Sequence, residues 1–234
     1  VLAGALLDAD REAHGPEVLE ARRLLERALR ADPMLAAALA GALGRLSNRE
    51  LAFQVGRILA AHLGDPRVRA ALLDLARGGD PVPREAALTA FTGLRGDPEA
   101  ARAVASAFAD REAPGAVRAA AACALIDLFP ALSEKERAAA RETARDLVLR
   151  KEESEEARAA ALDLLDVRGD SADRERARAA LERPGGVRVA LAAARVLLAA
   201  GEPAESVLAA LSRAAETAEP PLCDALRAAI EAHR

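Results

Sequence analysis

The residues best suited to recognition chemistry in this chain are arginines at helical spacing. Arg137, Arg141 and Arg145 recur every four positions, and Arg174 and Arg178 repeat the interval further on. On a helix rising 1.5 Å per residue the first three make a stripe roughly 12 Å long. A guanidinium fork matches a carboxylate bidentately, so such stripes can hold an acidic peptide or protein segment, and they are too short for a nucleic-acid duplex. Glu134, Glu142 and Glu182 are interleaved with them and can neutralise them through i,i+3 and i,i+4 pairs. Two readings follow, a solvated salt-bridge face and a patch for an acidic partner.

Other chemistry finds little support. Asp163 and Asp166 stand three apart on one predicted helix, but nothing sets their pKa values apart as acid–base work requires. His14, His62 and His233 are scattered, with no partner at metal-binding spacing. Cys123 and Cys223 belong to no CxxC pattern and read as inert core thiols. The Gly93–Gly96 segment, within TGLRGDP, lacks the Lys and Ser/Thr of a phosphate loop and reads as an inter-helix turn. The expectation is therefore no metal, no cofactor and no catalytic constellation.

Charge points the same way. With 33 basic and 37 acidic residues the chain carries a formal charge of −4, whereas nucleic-acid binders usually have a basic excess to neutralise phosphates. Lys135 and Lys151 are the only lysines, a bias that a GC-rich coding sequence explains, as it does the abundance of Ala. The longest uncharged stretch, Pro33 to Gly44, is about half the ~20 residues a membrane span needs. The opening VLAGALLDAD has no basic n-region, so it does not read as a signal peptide. The start at Val1 rather than Met reads as the removal of upstream sequence, and the cytoplasm is the default location.

The elements that must carry these residues are helices. Of 234 residues 63 are Ala, and only four Phe with no Trp or Tyr supply aromatic bulk, a mixture that favours helix over sheet. Asp32-Pro33, Asp65-Pro66, Asp80-Pro81 and Asp97-Pro98 each set a capping carboxylate before a Pro suited to the first helical position. Ser47 with Glu50 and Ser133 with Glu136 fit the capping-box pattern. Gly78-Gly79, Gly93 to Gly96 and Gly201 read as stops. Thirteen helices follow, near 17–31, 33–46, 48–63, 66–77, 81–94, 97–109, 114–129, 133–150, 154–167, 171–183, 186–200, 203–217 and 220–233. Their short connections imply antiparallel neighbours and one domain over 1–234.

A repeat runs through this series. R-x-A recurs near helix starts as Arg69/Ala71, Arg84/Ala86, Arg118/Ala120, Arg158/Ala160 and Arg188/Ala190. The last four arginines are separated by about one helix–turn–helix unit. These arginines read as structural, pairing with an acid or with carbonyls at the turn of a neighbouring repeat. Ala120 and Ala160 read as close helix–helix contacts, with Leu88/Phe91, Leu125/Leu128 and Leu162/Leu165 filling the layer between.

DPRVRAALLDLA, GAVRAAAACALIDL and EEARAAALDLL resemble the first helix of HEAT or HEAT-like repeats over residues 48–234. ARRLLERALRADP looks more like the second helix of a tetratricopeptide repeat, so residues 1–46 read as a variant N-terminal cap. The HEAT resemblance implies an all-α fold, a right-handed α-solenoid (superhelix) of about six antiparallel helix pairs. In that family the second helices usually line the concave face, which would bring the two arginine stripes into one groove. It also implies a non-enzymatic scaffold for a protein or peptide partner. The alternative is a nucleic-acid-binding protein similar to HEAT-like alkylpurine DNA glycosylases. The missing stacking aromatics and the acidic balance argue against that alternative. HEAT-like repeats also occur in bilin lyases, where Cys123 or a groove acid would have to serve.

Overall fold

A computed structural model describes residues 15–166, 170–217 and 223–224. Among them the chain forms twelve α-helices, one 3-10 turn and no strand. We number the helices α1 (Pro16–Ala31), α2 (Leu35–Leu43), α3 (Arg49–Ala60), α4 (Pro66–Arg77), α5 (Pro81–Ala90) and α6 (Pro98–Ala109). The series continues with α7 (Gly115–Leu128), α8 (Glu134–Val148), α9 (Glu155–Leu162), α10 (Ser171–Glu182), α11 (Val187–Ala199) and α12 (Ala204–Thr217). The expected helix over 220–233 lies outside the described residues apart from Cys223 and Asp224. No described helix is long and apolar enough to cross a membrane.

Local chemistry accounts for the helix starts. Asp65, Asp80 and Asp97 cap α4, α5 and α6, accepting from the backbone N–H groups of Arg67, Val82 and Ala100 at 2.8, 3.0 and 3.0 Å. The Pro after each cap opens the helix, where its missing N–H costs nothing. Two starts differ from expectation. Asp32 accepts from Met34 N in a turn, and α2 begins only at Leu35. Asn48 rather than Ser47 caps α3, accepting from Leu51 N at 3.0 Å, so Glu50 falls one position short of a capping box. Starting α3 there turns Leu51, Ala52, Val55 and Leu59 inward. Gly79, Gly93, Gly96 and Gly201 take positive φ after helix ends, as stop residues do.

The chain divides into two compact units, Val1–Ser133 and Glu134–Arg234. In the first, α4/α5 and α6/α7 are close hairpins, and α2 packs on α3. Stacking these pairs gives two rows, α3–α5–α7 with α1 beside α3, and α2–α4–α6. In the second, α8/α9 and α10/α11 are hairpins, α9 lies beside α11, and α8 and α12 flank α10. Leu88, Phe91, Leu125, Leu128, Leu162 and Leu165 are all buried, as the repeat spacing requires.

The R-x-A helices take a different place from the one expected. α5, α7, α9 and α11 are the second members of their hairpins, not the first, while α4, with Arg69, belongs to the opposite row. The reason is visible in the arginines. Arg84 Nε donates to the carbonyl of Ala76 near the end of α4, and Arg158 Nε donates to Val148 O at the end of α8. Two of the R-x-A helices, α5 and α9, are thus anchored to the helix that precedes them.

Helices α3 and α5 approach closely at Gly56. A Cβ on Gly56 would stand 2.4 Å from Ala86 O and 3.0 Å from Ala86 C, so only glycine lets these backbones touch. Ala160 is buried as expected, but Ala120 is only half-buried and is no tight contact. Cys123 is exposed rather than in the core, because the buried face of α7 runs through Val117, Ala121, Ala124, Leu125 and Leu128.

Candidate partner-binding surface

Arg137, Arg141 and Arg145 lie along α8, and Arg174 and Arg178 lie along α10, which packs directly beside it. The structure therefore brings the two stripes onto neighbouring helices of one row. Their electrostatic duties differ.

Arg145 is committed to the fold. Its Nε donates to Asp173 Oδ1, one Nη donates to Asp170 and the other reaches Glu142 at 3.2 Å. The bond to Asp173 is the foremost reason its guanidinium is held above the usual arginine range. Asp173 is 0% exposed, and its second oxygen accepts from Asp166 N at 2.7 Å, which ties the end of the α9 segment to α10. Asp170 caps α10 through Ala172 N, and that bond, ahead of the field of Arg145, lowers its pKa. A buried carboxylate such as Asp173 needs a cation of this kind, and Arg145 reaches both it and Asp170, 28 and 25 residues further along the chain.

The remaining arginines are looser. Arg141 lies 3.6 Å from Asp166. Arg178 pairs with Glu202 at 2.6 Å but keeps about half its side chain exposed, at 52%. Arg137 and Arg174 are half-buried. A small open pocket of about 80 Å³ lies beside Arg178 and Glu202, lined also by Leu181, Leu197 and Val207. The adjacent helices α8 and α10 thus carry Arg137, Arg141, Arg174 and Arg178 at least partly exposed, with Glu134, Glu142 and Glu182 exposed on the same two helices.

The same device recurs in both units. Arg49 pairs with Glu85 across α3 and α5, and Arg69 with Asp97 and Glu99 across α4 and α6. Arg188 pairs with Glu156, and Arg195 with Asp163, across α9 and α11. Arg69 is the main reason the carboxyl of Asp97 is pulled down to about 2. The two carboxylates noted at 163 and 166 accordingly serve separate arginines. His62 sits in the turn after α3, while His14 and His233 lie outside the described residues.

The class these features define is an all-α protein of stacked helical hairpins, cross-tied between neighbouring pairs by arginine–carboxylate bridges. No protein-family model, curated protein or solved structure matches the chain.

Proposed function

We propose that this chain is a non-enzymatic interaction module, a HEAT-like right-handed solenoid whose α8–α10 face receives an acidic segment of a protein partner. The observation that carries the reading is the juxtaposition of α8 and α10, which sets Arg137, Arg141, Arg174 and Arg178 on one row of one unit. Arg145 serves the fold, because its donors are spent on Asp170, Asp173 and Glu142. An incoming carboxylate competes with Asp166 for Arg141, an ion pair with solvent at hand, and reaches Arg178 from its exposed side while Glu202, only 11% exposed, keeps its own contact. Exposed pairs of this kind are worth about 0.2–1 kcal/mol, little enough for a multivalent acidic ligand to displace.

A fluorescent decaglutamate peptide serves as probe, read by anisotropy with the full chain. Binding should weaken as salt rises, and Arg137→Glu with Arg141→Glu should reduce affinity about tenfold or more while circular dichroism stays unchanged. Affinity indifferent to the double reversal, or tighter binding of a DNA duplex than of polyglutamate, would overturn the reading.

A further inference from the structure

Arg84 and Arg158 occupy the same position, the fourth residue of α5 and of α9. Each spends Nε on a carbonyl near the end of the preceding helix, Ala76 at 3.1 Å and Val148 at 3.0 Å. Beyond that bond they part. Arg84 Nη1 donates to Asp110 Oδ2 at 2.8 Å, an acid in the connection to the next helix of its row. The corresponding connection after α10 reads Arg183-Pro184-Gly185-Gly186 and offers no carboxylate. Arg158 is only 5% exposed, yet its two Nη groups meet no acceptor among the described residues.

What lies against them is Gly185. It takes φ +63°, and a Cβ there would come within 2.9 Å of Nη1. The nearest acid is otherwise employed. Glu155 reaches across to cap α11, accepting from Arg188 N at 2.5 Å, and Gly186 leaves room for it, since a Cβ would stand 2.2 Å from Oε1. Glu155 lends Arg158 its field but no hydrogen bond, and burial outweighs that field, drawing the guanidinium below its ordinary pKa. The Nη donors of Arg158 thus meet no protein acceptor among the described residues and keep only a sliver of solvent, where a charge-assisted acceptor would be favoured.

We propose that the Arg158 fork beneath the Pro184–Gly186 turn is a carboxylate-binding site, the counterpart of the position beside Arg84 where Asp110 supplies the carboxylate from the chain itself. Its ligand is a planar carboxylate, held by the two Nη groups and admitted past the side-chain-free Gly185. The site is on α9 and the approach to α11, and it stands or falls independently of the α8–α10 face.

The test follows the arginine Nε–Hε resonances of the full chain by NMR during titration with acetate, with sulfate, and with a tetraglutamate peptide against its tetraglutamine counterpart. The Arg158 resonance should shift saturably with acetate and with tetraglutamate, and Arg84, already occupied, should stay still. Tetraglutamate binding tighter than acetate would assign the ligand to a peptide, and equal affinity would assign it to a free carboxylate. Arg158→Lys, which keeps the charge and loses the fork, should weaken acetate binding about tenfold or more. Should that variant fold poorly, Asp110→Gly provides the converse, since vacating the counterpart should make Arg84 respond to acetate. An Arg158 resonance that moves no more than that of Arg84, or that responds to sulfate and not to acetate, would overturn the proposal.

Discussion

Gly56→Ala is the substitution for which the structure and ordinary helix energetics disagree most sharply. Replacing a helical Gly by Ala normally stabilises by about 0.8–1 kcal/mol, because Gly loses more backbone entropy on folding. At position 56 the new methyl would stand 2.4 Å from Ala86 O and 3.0 Å from Ala86 C, backbone atoms of α5 that no rotamer change can move aside. Ordinary contact needs about 3.4 Å or more, so α3 and α5 must separate by about 1 Å. Over-packing costs about 1–3 kcal/mol, and a clash this close with backbone, which also loosens Val55 and Leu59 in the same layer, stands at the upper end, about 2–3 kcal/mol. The net expectation is destabilisation by about 1–2 kcal/mol, a fall in Tm of about 2–8 °C for a chain of this size. Gly41→Ala in α2 is the internal control, because its Cβ would meet nothing within 4 Å and the helix-propensity gain should appear alone. Urea denaturation of the three proteins decides the matter. If Gly56→Ala is as stable as wild type, or gains like Gly41→Ala, the close α3–α5 crossing is wrong.

Three further expectations can be checked with the same chain. Ala160→Leu should cost about 1–3 kcal/mol because Ala160 is buried, whereas Ala120→Leu, at a half-buried position, should cost clearly less; thermal melts of the pair would show it. Arg145→Met should destabilise by about 3 kcal/mol, since it strips the fully buried Asp173 of its cation, and a denaturation midpoint near wild type would refute that role. The Asp97 carboxyl is lowered from 3.8 to about 2 in the folded chain, so its contribution is complete above pH 4 and is lost as pH falls toward 2. Stability measured across that window should therefore drop less steeply in Asp97→Asn, and an unchanged slope would count against the Arg69–Asp97 bridge.

What the sequence determined by itself was whatever depends on neighbours a few residues apart. Composition settled the all-α class, and Asp-Pro at 65, 80 and 97 settled three helix starts, because a capping carboxylate finds its N–H two or three residues on. The one-residue shift from Ser47 to Asn48 shows the limit of that reading, since two adjacent residues were chemically able to cap and the inward face of α3 decided between them. Tertiary structure decided everything carried by longer separations. The arginine stripes on α8 and α10 were legible as spacing, but not that Arg145 would be spent on Asp170 and Asp173, which lie 25 and 28 residues away. Nor could sequence tell that α5 and α9 close their hairpins rather than open them, because the anchoring carbonyls of Ala76 and Val148 carry no side-chain signature. The open fork of Arg158 is of the same kind. Its one trace in the sequence is a glycine pair in the connection where the matching one begins with an acid, Asp110, and that difference acquires meaning only once folding has placed each turn against its arginine.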